Sequence, residues 1–332
     1  MSRNNHFYSD DFDNKYDEMA DAVLRKNHAR LTHKANRVKD RKKDKPSRQE
    51  IVGSLTNDND LIEDFIPTYA AALDPKHFER RWVIGSLSNA YRDKLISDVL
   101  YQVKAGKEAN VYACTAGGAA PDGVEMIAAK LYRPRMFRHL RNDAAYKIGR
   151  LTHNREGKQV RRSSGVERAT KKKTAFGQDL EFANWIGHEY RMQTKLYQEG
   201  GAVPRPLVHS GNTILMDFYG DKRSPASTLN DVTLDDGEAQ PLFDQVIDNV
   251  RLMLAINHVH GDLSPYNILY WQGEIAIIDF PQMVDATVNP NGQKFLIRDV
   301  ERIVEYFAPY GISADAQAIA LDLWQQFMDG VL

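Results

Sequence analysis

The sequence is poor in cysteine, with Cys114 the single cysteine among 332 residues. One thiol cannot close an intramolecular disulfide, and it gives no support to a zinc site built from several thiolates. A chain without disulfides is typical of a reducing compartment, because thiols stay reduced there. We therefore expect an intracellular protein.

Long hydrophobic runs and an excess of charge of one sign are also missing. No stretch approaches the ~18 consecutive apolar residues of a membrane-spanning helix, and residues 1–19 lack the apolar core of a signal peptide. The 44 basic and 45 acidic residues give a formal net charge of -1, so the chain as a whole indicates neither nucleic-acid nor membrane binding. We expect a cytoplasmic protein without a membrane partner.

Two segments are too polar to contribute a buried face. Residues 1–50 predict a disordered, charged tail, whose basic part at 25–48 either contacts RNA or is simply solvated. The second basic segment, 133–173, falls in a flexible loop at 133–175, and such a long loop is functional or mobile. It could bind RNA, cover a nucleotide or carry modified hydroxyl groups, and the candidates for modification are Ser163, Ser164, Thr170 and Thr174.

Hydrophobic residues return after the tail. Their spacing over 51–96 predicts a helical extension packed on the main domain, and residues 97–220 then predict a small antiparallel sheet. Three strands are expected, at 99–104, 110–114 and 125–132. Gly106 lies in the tight loop between the first two, where a side chain would obstruct a bound phosphate. Lys130 in an otherwise apolar strand needs an anion, either a nucleotide phosphate or a helix carboxylate.

The chain then becomes mainly helical. The amphipathic segment 182–196 carries Glu189, which either pairs with Lys130 across a pocket or is an ordinary surface residue. A hairpin at 207–218 leads into a hinge at 216–220, with backbone groups available to an adenine edge. Residues 221–332 predict a helical lobe, with helices at 241–259, 295–307 and 315–328, the last capped by Ser313.

The stretch 260–282, HGDLSPYNILYWQGEIAIIDFPQ, predicts a polar loop feeding a β-hairpin. It places Asp262, Asn267 and Asp279 at the spacing of a phosphoryl-transfer site. Such a site needs one carboxylate to orient the acceptor and oxygen ligands to hold metal ions. A polar turn before an ordinary hairpin would need only one of these three residues, so their combination favours the catalytic interpretation.

In this order the motifs resemble those of the protein-kinase-like superfamily and, within it, the RIO family. The specific marks are GKEANVY at 106–112 and IDFPQ at 278–282, and the resemblance covers about residues 97–310. It implies an α+β, two-lobed protein-kinase-like fold, with an N-lobe over 97–220 and a mainly helical C-lobe over 221–332. Within the family, the chain resembles the prokaryotic-type branch without an N-terminal winged helix.

The resemblance also implies roles for individual residues. Lys130 would bind phosphate with Glu189 as its partner, Asp262 would be the catalytic aspartate, and Asn267 and Asp279 would be metal ligands. Further ATP contacts are expected at Lys104, Ala105, Gly106, Lys107, Glu108, Val111, Ala128, Met216 and Phe218. The implied cofactors are ATP and Mg²⁺, with Mn²⁺ as an alternative ion.

The resemblance leaves the reaction open between a serine/threonine kinase, acting on a protein or on itself, and an ATPase that phosphorylates Asp279 and associates with ribosomal particles or RNA. Gly261 replaces the arginine that reads a phosphorylated activation loop, so such control is not expected. Two alternatives remain: an aminoglycoside or choline kinase, which shares HGDxxxxN, and a nucleotide-switched ribosome-assembly or RNA-binding factor with slow catalysis. GKEANVY and the ProGln after Phe280 argue against the small-molecule kinase.

Overall fold

The computed structural model describes residues 65–74, 77–133, 175–235 and 237–332. The helices are α1 (Thr68–Ala71), α2 (Phe78–Arg92), α3 (Ala175–Gln198), α4 (Ala239–Ala255), α5 (Gly292–Phe307) and α6 (Ala316–Met328). The longer strands are β1 (Ile96–Ala105), β2 (Ala109–Ala116), β3 (Met126–Tyr132), β4 (Pro206–Ser210), β5 (Thr213–Asp217), β8 (Ile268–Trp271) and β9 (Glu274–Ile277). Three two-residue strands are β6 (Ser227–Thr228), β7 (His258–Val259) and β10 (Val284–Asp285). The expected tail at 1–50 and the basic segment beyond residue 133 lie outside the described residues.

The N-lobe is a five-stranded antiparallel sheet in the order β1-β2-β3-β5-β4. Its central strand β3 is covered on both faces, because alternate side chains of a strand point to opposite sides. Ile127, Ala129 and Leu131 pack against α2, whereas Ala128 and Tyr132 pack with residues of α3. Lys130 shares the second face, so its ammonium group is directed towards α3.

Helix α2 closes the other face of this sheet. Trp82, Val83 and Leu87 are buried and pack with Val99 of β1 and Tyr112 of β2. Within the described residues, the predicted helical extension is thus a layer of the N-lobe core. The first three predicted strands correspond to β1, β2 and β3.

The C-lobe packs α4, α5 and α6 around one apolar core, which also receives the β8–β9 hairpin. Gln272 and Gly273 form the turn of that hairpin with φ angles of 53° and 85°. Positive φ at both central residues matches the right-handed twist of paired strands, and glycine adopts it without strain. Together the two lobes confirm the expected α+β architecture.

Two local predictions in the C-lobe are wrong. The helix expected to run to Val259 ends at Ala255, because Asn257 turns the backbone at φ 64° and residues 258–259 pair with β10 instead. The last helix is capped by Asp315 and not by Ser313: the Asp315 side chain accepts a hydrogen bond from the N–H of Ala318 at 2.9 Å. Among the described helices, none combines the length and apolar character needed to cross a bilayer.

Candidate active site

Lys130 lies at the centre of the candidate site and joins three elements. Its Nζ is 2.6 Å from Oε1 of Glu189 on α3 and 2.8 Å from Oδ1 of Asp279, which follows β9. The Glu189 side chain is 2% exposed, whereas the Asp279 side chain is 39% exposed. The predicted pairing of Lys130 with Glu189 is therefore present in the structure, and Asp279 faces the open side of the pair.

Tyr132 completes the environment of the buried carboxylate. It follows Lys130 by two residues on β3, so both side chains lie on the same face of the sheet. The hydroxyl of Tyr132 donates to Oε2 of Glu189, and the Lys130 ammonium lies 5.5 Å from the centre of the Tyr132 ring. Each Glu189 oxygen thus has a donor from β3, which fixes the rotamer of a group that is costly to bury unpaired.

The three ionisable groups shift one another's pKa values. Burial alone would lower the pKa of Lys130, but Asp279 and Glu189 more than reverse this and raise it. For Asp279 burial acts to raise the pKa, and the adjacent Lys130 outweighs that and lowers it. Burial raises the pKa of Glu189, with Lys130 and Tyr132 acting against that shift. Lys130 therefore stays charged at neutral pH, and Asp279 is an available anion.

The predicted catalytic aspartate, Asp262, lies in the loop between β7 and β8. Its Oδ1 accepts from Nη1 of Arg302 at 2.8 Å, and its Oδ2 lies 3.4 Å from Nε2 of Gln282. Both contacts come from outside the catalytic loop, since Arg302 belongs to α5 and Gln282 follows the IDF motif. They hold the carboxylate in one orientation, as a group that must orient an acceptor requires.

Helix α5 also holds the backbone of this loop. Asp299 accepts from the N–H of Gly261 at 2.7 Å and from the N–H of Leu263 at 3.2 Å, and Arg298 donates to the carbonyl of Gly261. Asp299 is 2% exposed, and burial raises its pKa to about 7 although the two N–H groups and Arg298 oppose the shift. The residues on both sides of Asp262 are thus anchored to α5.

Asn267 and Asp279 offer oxygen ligands of the kind that Mg²⁺ prefers. Nδ2 of Asn267 donates to the backbone carbonyl of Asp262 at 2.9 Å, which leaves its Oδ1 as the acceptor atom. Asp279 has φ 75°, a left-handed conformation that aspartate tolerates better than most residues. Within the described residues no group of three His, Cys, Asp or Glu side chains could hold a metal by itself, so phosphate oxygens and waters would have to complete the coordination.

The predicted adenine contacts share one apolar cluster beside Lys130. Ala128 and Met216 are cross-strand partners on β3 and β5, each 8% exposed, and Val111 and Phe218 pack against the same cluster. In the hinge, the N–H of Asp217 donates to Arg205, and the carbonyl of Tyr219 accepts from Ala226. The backbone of Phe218, between them, has no hydrogen-bond partner among the described residues, so it is available to an adenine edge.

The glycine-containing loop connects β1 to β2 next to this cluster. Lys104 and Ala105 end β1, where Lys104 pairs with Val111, and the loop itself consists of Gly106, Lys107 and Glu108. Asp279 feels the charge of Lys104, which contributes to its lowered pKa after the larger effects of burial and Lys130. The loop therefore lies close enough to the candidate site to contact the same ligand.

Gly106 is required by the loop itself. A Cβ on this residue would lie 2.6 Å from the carbonyl oxygen of Ala109, a backbone atom that accepts from the N–H of Gly106 at 3.0 Å. Since backbone cannot move aside as a flexible side chain does, any larger residue must distort the loop. The sequence prediction gave a different reason, namely clearance for phosphate.

We expect Gly106→Ala to weaken ADP binding by about tenfold, because a distortion worth about 1.4 kcal/mol has that effect on affinity. Gly118→Ala is the matched control: it makes the same change in the turn between β2 and β3, with no atom within 4 Å of the new methyl group. Titration of each variant with Mg²⁺ and ADP would measure the difference. If both variants bound ADP with equal affinity, the loop would not require glycine at position 106.

A cleft of about 920 Å³ opens near the hinge but away from the site just described. It lies between residues 122–126, the hinge and the β8–β9 hairpin, and Phe218 is the one predicted nucleotide contact that lines it. The cleft contains none of Lys130, Asp262 or Asp279. Its size alone is therefore no argument that it holds the nucleotide.

Sequence reasoning missed four side chains that shape the site: Tyr132, Gln282, Asp299 and Arg302. Tyr132 had a usable signal, because it lies two residues from Lys130 in a predicted strand. Gln282 was noted only as part of the motif. Asp299 and Arg302 had no local signal, since they act on residues 36 to 40 positions earlier in the chain.

Comparison with known proteins gives consistent matches. Residues 125–319 match the RIO domain family. The chain is 36% identical over 135 residues to the protein named RIO-type serine/threonine-protein kinase Rio1 from Thermoplasma acidophilum, covering 41% of this chain and 69% of that one. It is 27% identical over 221 residues to the protein of the same name from Haloferax volcanii, covering 65% and 66% of the two chains.

Among solved structures, the chain resembles the Rio2 kinase-ADP/Mg²⁺-phosphoaspartate complex from Chaetomium thermophilum. The TM-score is 0.46 at 19% identity, over 75% of each chain. The family match begins after β2, so helix α2 and the glycine-containing loop lie before it.

Proposed function

Because this chain belongs to the RIO domain family, whose matched relatives are named serine/threonine-protein kinases, we propose that the site described above transfers the γ-phosphoryl group of ATP. The family, the two-lobed fold and the phosphotransferase class predicted from the motifs are confirmed. The roles of individual residues, the acceptor and the partners are proposals.

One observation carries the assignment of residues: a single lysine links a buried helix glutamate to the aspartate of the IDF motif, at 2.6 and 2.8 Å. In this arrangement Lys130 would hold the α/β-phosphates of ATP, with Glu189 fixing its position. The apolar cluster of Val111, Ala128 and Met216 would receive the adenine ring. These roles place the nucleotide between the glycine-containing loop and Asp279.

The charges of the site favour a metal ion together with the nucleotide. The Asp279 carboxylate faces the open side of the site and would repel phosphate oxygens, and a bound cation would reduce that repulsion. Asn267 and Asp279 supply an amide oxygen and a carboxylate oxygen, which fit Mg²⁺ and would also accept Mn²⁺. When bound, the ion neutralises phosphate charge, while Asp262 orients the attacking hydroxyl or water through its own fixed carboxylate.

Two end points remain for the phosphoryl group, a protein hydroxyl or water. In the first the chain is a serine/threonine kinase, and in the second it is an ATPase that passes through phosphorylated Asp279. The Asp279 side chain favours the second route sterically, because it is 39% exposed and its Oδ2 makes no hydrogen bond within the described part of the chain. This same oxygen could instead hold the metal, so the acceptor has to be measured.

The decisive experiment incubates the full chain with Mg²⁺ and ATP labelled at the γ-phosphate. Acid-stable label on the chain or on an added protein indicates the kinase. Hydroxylamine-sensitive label that disappears in Asp279→Asn indicates the phosphorylated aspartate, and free phosphate without it indicates direct hydrolysis. No transfer or release above a protein-free blank would overturn the proposed function.

Association with ribosomal particles or RNA is the finer part of the proposal, in a cytoplasmic protein. Its support is the basic composition of 25–48 and 133–173. A test is co-sedimentation with ribosomal particles at several salt concentrations, with and without ATP. Binding that is independent of nucleotide would contradict a nucleotide-controlled association.

A further inference from the structure

One carboxylate oxygen of Glu79, at the start of α2, lies within hydrogen-bond distance of four donor groups. Its Oε1 is 2.5 Å from the hydroxyl of Tyr112 and 3.0 Å from that of Tyr69. The same oxygen lies 3.1 Å from Nε2 of Gln102 and 3.4 Å from Nδ2 of Asn110. These donors come from the extension before the sheet and from β1 and β2, so Glu79 joins α2 to the two strands that flank the glycine-containing loop.

Asn110 is the member of this group that reaches the loop. It is 1% exposed and lies at the start of β2, opposite Ala105. Its Oδ1 accepts from Nη2 and Nε of Arg133 at 2.9 and 3.1 Å, and lies 3.4 Å from the N–H of Gly106. The N–H of Arg133 also donates to the carbonyl of Glu108 at 2.9 Å. Both ends of the loop are therefore tied to Asn110, directly or through Arg133.

The carboxylate of Glu79 decides which way the Asn110 amide points. An ionised carboxylate can only accept hydrogen bonds, so the amide must present its NH₂ group to Glu79. Nδ2 also donates to the Tyr112 hydroxyl at 3.1 Å, in the same direction. The amide oxygen is thereby turned towards Gly106 and Arg133, both of which offer only donors. Reversing the amide would place two acceptors face to face at Glu79 and two donors face to face at Gly106 and Arg133.

We propose that Glu79 is a positioning residue for the nucleotide-binding loop and acts through the orientation of the Asn110 amide. The inference rests on the proposed function, because it assumes that residues 106–108 contact the nucleotide. It extends the site to α2, which lies before the range that matches the family. Helix α2 then has two roles: Trp82 and Leu87 pack against the sheet, and Glu79 positions the glycine-containing loop.

The test compares Glu79→Gln and Glu79→Ala in the full chain, with Asn89→Ala as the control on the same helix. The Asn89 amide oxygen accepts from Arg92 on α2, and within the described residues its side chain makes no hydrogen bond to the sheet. ADP affinity in Mg²⁺ is measured at a temperature where circular dichroism shows each variant to be folded. We expect about tenfold weaker binding for Glu79→Ala, a smaller loss for Glu79→Gln, which keeps one acceptor oxygen, and no change for the control.

A second measurement separates positioning from general stability. If Glu79 acts through Asn110, the ADP affinity of Glu79→Gln/Asn110→Ala should equal that of Asn110→Ala. The Asn110→Ala change already removes the amide that Glu79 orients, so a further change at Glu79 has nothing left to affect. Losses that multiply in the double variant, or parental affinity in folded Glu79→Ala and Glu79→Gln, would overturn the proposal. If the parent chain itself bound no ADP, the proposed function would fail first, which is a different result.

Discussion

Replacing Asp262 with asparagine is expected to lower turnover by about 10²- to 10⁴-fold, the range that a positioned acid–base group contributes. ADP affinity should stay within about twofold of the parent, because the role lies in the transition state. Asparagine keeps the size of the side chain but loses the charge that pairs with Arg302 at 2.8 Å. Its amide oxygen can still accept from Arg302, while its NH₂ group replaces the oxygen that faces Gln282.

The measurement is single-turnover and steady-state phosphate release, with ADP titration as the binding readout. Asp244→Asn is the matched control, since Asp244 lies on α4 and, within the described part of the chain, its side chain accepts only from Gln240 on the same helix. We expect parental turnover for that variant. If Asp262→Asn released phosphate at the parental rate, Asp262 would have no catalytic role, whatever its position.

Helix α5 holds the HGD segment, in which glycine stands where many kinases have an arginine before the aspartate. Gly261 has φ 81°, which favours glycine. Its N–H and carbonyl are both held by α5, through Asp299 and Arg298. Arg302, one turn further along the same helix, supplies the cation that faces Asp262. Arg302 thus pairs with an aspartate 40 positions earlier in the chain, which is a different role from that of an arginine that reads an activation-loop phosphate.

The sequence could predict those parts of the site that short motifs or strand periodicity determine. Lys130 is predicted from an isolated charge in an apolar strand that needs a partner, whereas the pairing of Glu189 with it is predicted from the family resemblance. The β8–β9 hairpin followed from Gln272-Gly273 between two apolar runs. For Lys130 and for the hairpin the deciding pattern is local, whereas the Lys130–Glu189 contact spans 59 positions and needed the order of the motifs.

The rest depended on contacts between distant segments. Residues 258–259 read as the end of a helix because their apolar spacing continues that of α4, and only pairing with Val284 and Asp285 makes them a strand. Asp299 and Arg302 read as ordinary polar residues of an amphipathic helix. The hydrogen-bond network around Glu79 could not be predicted from the sequence either, since a glutamate in the first turn of a helix is common on electrostatic grounds alone.

Replacing Lys130 with methionine is expected to lower both turnover and stability. Loss of the group that holds phosphate should reduce turnover by about 10²- to 10³-fold, as for other single electrostatic contacts in active sites. Stability should fall by about 3–5 kcal/mol, because Glu189 would keep a buried charge with only Tyr132 as a donor. Lys222→Met is the matched control, since Lys222 pairs with Glu125 on the surface at 2.8 Å and the side chains are 63% and 74% exposed.

The double variant Lys130→Met/Glu189→Leu separates the two effects. Replacing both members of a buried ion pair by apolar residues of similar size removes the unpaired charge, so part of the lost stability should return, while the Tyr132 hydroxyl loses its Glu189 acceptor. Turnover should remain low, because no cation is restored beside Asp279. Urea unfolding and phosphate release on the parent, both single variants and the double variant complete the cycle. Recovery of turnover together with stability would mean that Lys130 acts through folding and has no direct role towards phosphate.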